Sequence, residues 1–150
     1  MTAAPVLDGI HHLKLPVSDL DRSLEWYQGH LGYIVMTDFV EQGVRMGVAM
    51  RHPNGGPDLA LRCDPGRARA AAGFDYFAIG VPGRAPIEAL AAHLSSRGVD
   101  HVGVQRTPVG WVLLGVKDPD GHDVRFYTVP MELPDEEFLR AYEGEHRVHS

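Results

Sequence analysis

The sequence predicts an α+β fold built from two tandem β-α-β-β-β modules. Three observations carry that expectation. Segments of period two are followed in each half by a segment of helical period, the two halves overlay at nearly constant spacing, and one chain of 150 residues holds too little apolar surface for two independent cores. In the overlay, His12 falls on Tyr76 and Val17 on Val81 at an offset of 64, Gly32 falls on Gly98 at 66, and Gly56-Pro57-Asp58-Leu59-Ala60-Leu61 falls on Gly121-His122-Asp123-Val124-Arg125-Phe126 at 65.

The elements follow in order. Leu13, Leu15 and Val17 alternate with His12, Lys14 and Pro16, which reads as a half-buried strand with His12 and Lys14 on the face away from the core and His11 on the core side as a structural histidine. Ser18 and Asp19 offer helix N-caps, Leu20, Leu24, Tyr27 and Leu31 share one helical face, and Gly32 supplies the stop. Trp26 and Tyr27 read as packing residues of that helix. Tyr33 to Phe39 and Val44 to Met50 read as strands, Pro53-Asn54-Gly55-Gly56 as a tight turn, and Leu59-Ala60-Leu61 opens the module's last strand. Module 1 spans 8–63. Asp64 to Gly73, with turn residues at both ends and small or charged residues between, reads as a linker.

Module 2 spans 74–129. Tyr76 to Val81 reads as its first strand, Pro86 opens a helix with Ile87, Leu90, Ala91 and Leu94 on one face, and Gly98 closes it. Val109 to Val116 is a further strand, Asp118-Pro119-Asp120-Gly121 a turn, and Val124 to Tyr127 the closing strand. Residues 130–150 lie outside the repeat. There Pro134, Asp135, Glu136 and Glu137 signal a helix start, and Phe138, Leu139 and Tyr142 would dock that C-terminal helix or contribute to an assembly.

Composition bounds the function. The chain has 20 acidic and 14 basic side chains, a formal net charge of -6, so nothing biases it toward a phosphate backbone and no nucleic-acid partner is expected. With a mean hydropathy of -0.16 and no apolar run of membrane-spanning length, no membrane partner is expected either. The single cysteine, Cys63, cannot form an intrachain disulfide. With an N-terminus that lacks the pattern of a signal peptide, this gives an expectation of a cytoplasmic protein.

Three stretches together resemble the vicinal oxygen chelate superfamily: Ile10-His11-His12-Leu13-Lys14-Leu15-Pro16-Val17-Ser18-Asp19-Leu20, the helix ending Trp26-Tyr27-Gln28-Gly29-His30-Leu31-Gly32-Tyr33, and Asp118-Pro119-Asp120-Gly121. That superfamily holds glyoxalase I, fosfomycin-resistance thiol transferases, extradiol dioxygenases, methylmalonyl-CoA epimerase and bleomycin-binding proteins. The resemblance covers residues 8–129 and implies a curved mixed sheet around a cleft, the glyoxalase/bleomycin resistance fold, often completed in a dimer. A homodimer is therefore expected. It does not imply one reaction, because the superfamily shares a scaffold rather than a chemistry.

In metal-dependent members, the resemblance places ligands on the first and last strand of each module. His12, five residues before the Val of Val17-Ser18-Asp19, matches. The counterpart in module 2 is Tyr76, the last-strand carboxylate position is Arg125, and the equivalent of Arg125 in module 1 is Ala60. A guanidinium is permanently cationic and offers no lone pair, a methyl group donates nothing, and a phenol binds a cation well only after losing a proton of pKa about 10. No cofactor is expected on these grounds, and no metal ligand beyond His12 matches. A divalent metal held by His12 with Asp58, Asp123 or Tyr127 as substitutes, in a lyase, isomerase or dioxygenase, is the alternative.

Strand alternation puts His12, Lys14, Asp58, Arg62, Tyr76, Ala78, Asp123, Arg125 and Tyr127 on the faces away from the core. His12 and Tyr76 are the candidates for proton transfer or hydrogen bonding to a substrate. Lys14, Asp58, Arg62, Trp111, Asp123, Arg125 and Tyr127 are the candidate ligand-binding residues, with the side on which Trp111 points left open by parity. Arg125 has two readings: an anchor for a planar anion, or one half of an internal bridge with Asp58 or Asp123. The expected partner is a small polar molecule, anionic or aromatic, bound either for sequestration or for modest acid/base chemistry.

Overall fold

A computed structural model describes residues 3–130 together with Glu136 and Arg140. The C-terminal helix expected after Pro130, with Phe138, Leu139 and Tyr142, lies outside the described residues. The described chain divides into two compact units, the first running to Ala72 and taking in Pro119–Gly121, the second comprising Gly73–Asp118 and the chain from His122 onward.

The first unit contains β1 (His12–Val17), α1 (Leu20–Leu31), β2 (Ile34–Glu41), β3 (Val44–Arg51), β4 (Asp58–Cys63) and α2 (Pro65–Ala71). Its sheet has the order β1-β4-β3-β2, with β1 parallel to β4 and the other pairs antiparallel. A parallel pair needs a long crossover, and α1 belongs to that crossover. Asp19 caps α1 by accepting from Arg22 N at 3.0 Å, and Gly32 ends it in the left-handed region at φ 79°, where a side chain would be strained. Leu20, Leu24 and Tyr27 on α1 are buried, as are Leu15, Val17, Val48, Met50, Leu59 and Leu61 of the sheet. Pro16 is tolerated because β1 is an edge strand. The start of α1 is tied down by Asp120, whose carboxylate accepts from Ser18 N at 3.1 Å and from Ser23 Oγ at 3.4 Å.

The second unit contains β5 (Ala78–Val81), α3 (Arg84–Ser96), β6 (Val104–Thr107), β7 (Gly110–Lys117) and β8 (Asp123–Thr128). Its sheet order is β5-β8-β7-β6, with β5 parallel to β8. Val81, Ile87, Leu94, Leu113, Val116, Val124 and Phe126 form its core.

The duplication is visible in the hydrogen-bonded register. Lys14 pairs with Ala60 and Val17 with Cys63 in the first unit, while Ala78 pairs with Arg125 and Val81 with Thr128 in the second. These are the positions related by the sequence offsets of 64 and 65.

Four expectations need correction. The segment read as a linker contains α2, because Asp64 accepts from Arg67 N at 3.1 Å and so caps a helix that Pro65 starts and Ala68 anchors in the core. The first strand of module 2 begins at Ala78 rather than Tyr76, where its ladder starts opposite Arg125, and β6, whose Val104-Gln105-Arg106-Thr107 shows no apolar period, adds a strand that alternation does not announce. The helix α3 begins at Arg84, two residues before Pro86. His11 is exposed rather than on the core side, because the ladder begins only at His12 opposite Asp58 and the chain has not yet entered the sheet.

Gly47 on β3 is the tightest backbone approach on the first sheet. A Cβ there would stand 2.9 Å from Leu61 O, between the Phe39 ring and the stem of Arg62. Gly47→Ala is expected to destabilise the protein by about 1 to 3 kcal/mol through overpacking, read as a Tm lower by several degrees in thermal denaturation. An unchanged Tm would show that β3 and β4 are less closely apposed than described.

Candidate functional site

Each sheet buries one face under a helix and leaves the other to the polar side chains that alternate with the core. On the first unit this second face carries His12 and Lys14 from β1 and Asp58, Ala60 and Arg62 from β4, with His12 opposite Asp58 and Lys14 opposite Ala60. On the second unit it carries Asp123, Arg125 and Tyr127 from β8 beside Ala78 of β5, with Tyr76 just ahead of the ladder. Of the nine side chains that strand alternation assigned to these faces, His12, Lys14, Asp58, Arg62, Ala78, Asp123, Arg125 and Tyr127 lie on ladder positions of those faces, and Tyr76 precedes its ladder. Trp111 does not lie on these faces. Its neighbour two residues on, Leu113, pairs with the core residue Phe126, so Trp111 sits on the α3 side, where the Arg84 guanidinium covers its ring at 4.2 Å.

The charged groups are paired within each unit. Arg51 donates to Asp58 through both Nε and Nη2 at 2.9 and 3.0 Å, a bidentate fork. This bond holds the Asp58 carboxyl below the usual aspartate range, assisted by the positive charge of Arg51. Arg62 likewise binds Glu41, at 3.0 Å through Nη2, and lowers its pKa by the same cause. His11 and His12 share a hydrogen bond between their Nδ1 atoms at 2.9 Å, so one ring donates to the other. Lys14 has no ion-pair partner among the described residues.

Arg125 is the centre of the second unit's cluster. Its Nε donates to Asp123 at 3.0 Å and its Nη1 lies 3.1 Å from Asp75. Bonds to Asp123 and Tyr127 and the charges of Asp123 and Asp75 raise its pKa, so the guanidinium is held firmly as a cation. Asp123 also meets Lys117 at 3.5 Å. Of the two bridge partners considered for Arg125, Asp123 is the one it takes, and Asp58 belongs to Arg51. Sequence reasoning missed Arg51, Glu41, Asp75 and Lys117. Arg51 was findable, since it continues the β3–β4 register in which Met50 faces Leu59. Asp75 was not, because it lies outside any strand.

Neither unit's donors fit a divalent metal. Ala60 and Arg125 offer no lone pair, and the carboxylates that could substitute, Asp58 and Asp123, are already bound by arginines. Among the described residues, no group of three or more His, Cys, Asp or Glu side chains is placed to hold a metal ion.

A family model, the Glyoxalase/Bleomycin resistance protein/Dioxygenase superfamily, matches residues 9–126. No curated protein matches the chain. Among solved structures, an antibiotic binding protein, TnmS3 from Streptomyces sp. CB03234, is 20% identical at a TM-score of 0.69, covering 83% of this chain and 98% of its own. A glyoxylase/bleomycin resistance protein/dioxygenase domain from Frankia sp. EAN1pec is 23% identical at 0.65, covering 82% and 93%. A lactoylglutathione lyase from Agrobacterium tumefaciens is 19% identical at 0.66, covering 82% and 95%. At these identities the likeness establishes the fold alone.

The depressed carboxylates set a pH dependence. A carboxyl whose folded pKa lies below its unfolded value adds stability above the unfolded value, and that stability is lost as pH falls through the folded one. Asp58, Glu41 and Asp64 all shift this way. Stability is therefore expected to fall with acidification below the ordinary carboxylate range of about 4, and the Asp58 carboxyl resonance should titrate below the aspartate norm and return to it in Arg51→Met. An Asp58 titration that Arg51→Met leaves in place would contradict the pairing.

Proposed function

The chain belongs to the Glyoxalase/Bleomycin resistance protein/Dioxygenase superfamily, and on that premise we propose that it binds a small polar molecule, anionic or aromatic, without the metal site found in other members. The observation that carries this reading is Arg125. A guanidinium fixed by Asp123 and Asp75 stands where the metal-dependent pattern has a carboxylate, so the position supplies a positive charge instead of accepting one. Recruiting Asp58 or Asp123 to a metal would strip an arginine of its partner, and an uncompensated charge beside a sheet is costly.

Binding then rests on hydrogen bonds, stacking and shape. On the first unit His12 can donate or accept at such a ligand and Lys14 offers a cation outside any ion pair among the described residues; on the second, Tyr76 offers a phenol. The likeness to an antibiotic binding protein supports a sequestering role, in which a ligand is held and no bond is broken. The test is calorimetry and elemental analysis on protein purified without a metal-affinity tag. The expected result is no stoichiometric zinc, nickel, manganese or iron. One equivalent bound at micromolar affinity and lost in His12→Ala would replace this reading with a metal-dependent one.

The same reading includes a cytoplasmic homodimer. No helix of the described residues is long and apolar enough to cross a membrane, and the lone Cys63 suits a reducing compartment. The dimer draws support from Ile34, Met36, Phe39 and Val40, exposed on the edge strand β2, which a single copy leaves in water. Light scattering should give twice the chain mass of 16.5 kDa; the chain mass itself would contradict the dimer.

A further inference from the structure

Resting on the reading above, we propose that Phe74 and Tyr76 form a preformed aromatic corner that selects an uncharged planar aromatic ligand, with Phe74 as the specificity-determining residue. Phe74 and Tyr76 are 59% and 54% exposed, and they are the exposed aromatic residues of the second unit among those described. Their ring centroids lie 4.9 Å apart at 70°, an edge-to-face pair. A planar ligand stacked on one ring of such a pair meets the other in the favourable perpendicular arrangement.

The backbone beneath the rings is fixed. Asp123 N donates to Phe74 O at 3.2 Å, and Asp75, between the two aromatics, is bound by Arg125 at 3.1 Å. A ligand therefore pays little to order the platform. Tyr76 has no hydrogen-bond partner among the described residues, so its phenol remains available to a ligand oxygen.

Charge decides the ligand class. Beside the corner stand two carboxylates, Asp75 and Asp123, and two cations, Arg125 and Lys117, joined in one chain of ion pairs. That cluster is already neutral. Two carboxylates already offset the charge of Arg125, so a ligand carboxylate gains little from it, whereas the exposed ring surface is gained by any planar aromatic group.

The test uses two fluorescent probes of one ring system, aminoanthracene, which is neutral at pH 7, and anthracenecarboxylate. Titration of the full chain should show the neutral probe bound at least as tightly as the anion. Phe74→Ala should weaken it about tenfold, while Phe74→Tyr, which keeps a ring and reports on folding, should stay within about twofold. Equal affinity in Phe74→Ala and wild type overturns the corner. Tighter binding of the carboxylate that is lost in Arg125→Ala also overturns it, but leaves the binding function standing on Arg125. Failure of both probes to bind wild type overturns the corner, while the wider binding reading, which also admits a non-aromatic anion, stands.

Discussion

Everything in this protein follows from the parallel pairing of the first and last strands of each unit. Parallel strands cannot be joined by a tight turn, so each unit sends its chain through a helix before returning. The helix covers one face, and the pleat then assigns every second residue of the paired strands to the other. A slip of one residue would exchange the faces, burying Lys14 and Arg125 and exposing Leu15 and Phe126. That penalty fixes the register. The same register occurs twice, Lys14 with Ala60 and Ala78 with Arg125, so the site-bearing positions of the two units are equivalent as backbone while their side chains differ completely.

The second level of order is electrostatic. The pleat brings arginines and carboxylates to the same faces, and they satisfy one another: Arg51 with Asp58, Arg62 with Glu41, Arg125 with Asp123 and Asp75. On an exposed surface each such pair stabilises the fold only modestly. Their larger effect is chemical, because a carboxylate bound by a guanidinium is no longer offered to a metal or to a ligand cation, and the arginine has less to offer an anion. Among the described residues, the first unit leaves the Lys14 ammonium outside any ion pair, and the second leaves the aromatic pair Phe74 and Tyr76 exposed.

Much of this was legible in the sequence, for definable reasons. Alternation in Leu13-Lys14-Leu15-Pro16-Val17 and in Val124-Arg125-Phe126-Tyr127 is a direct image of the pleat, and the near-constant offsets between halves report the shared register. Other features resist a reading of one strand at a time. The face of Trp111 depends on a register break between Leu113 and Val116, which parity cannot see. The α2 helix was hidden because Asp64-Pro65 signals a turn and a helix start equally well. Arg51 could be read from the β3–β4 register that sets it beside Asp58, but Asp75 could not, because it reaches Arg125 from a loop outside any strand.

The claim that unites fold and function is that Arg125 is locked as a cation between Asp123 and Asp75. The most direct measurement is the Arg125 side-chain Nε–H resonance in a nitrogen-edited NMR spectrum near neutral pH. A resolved signal protected from solvent exchange, which collapses to that of a free arginine in Asp123→Asn, is the predicted result. A rapidly exchanging signal in the wild type, unchanged by Asp123→Asn, would contradict it.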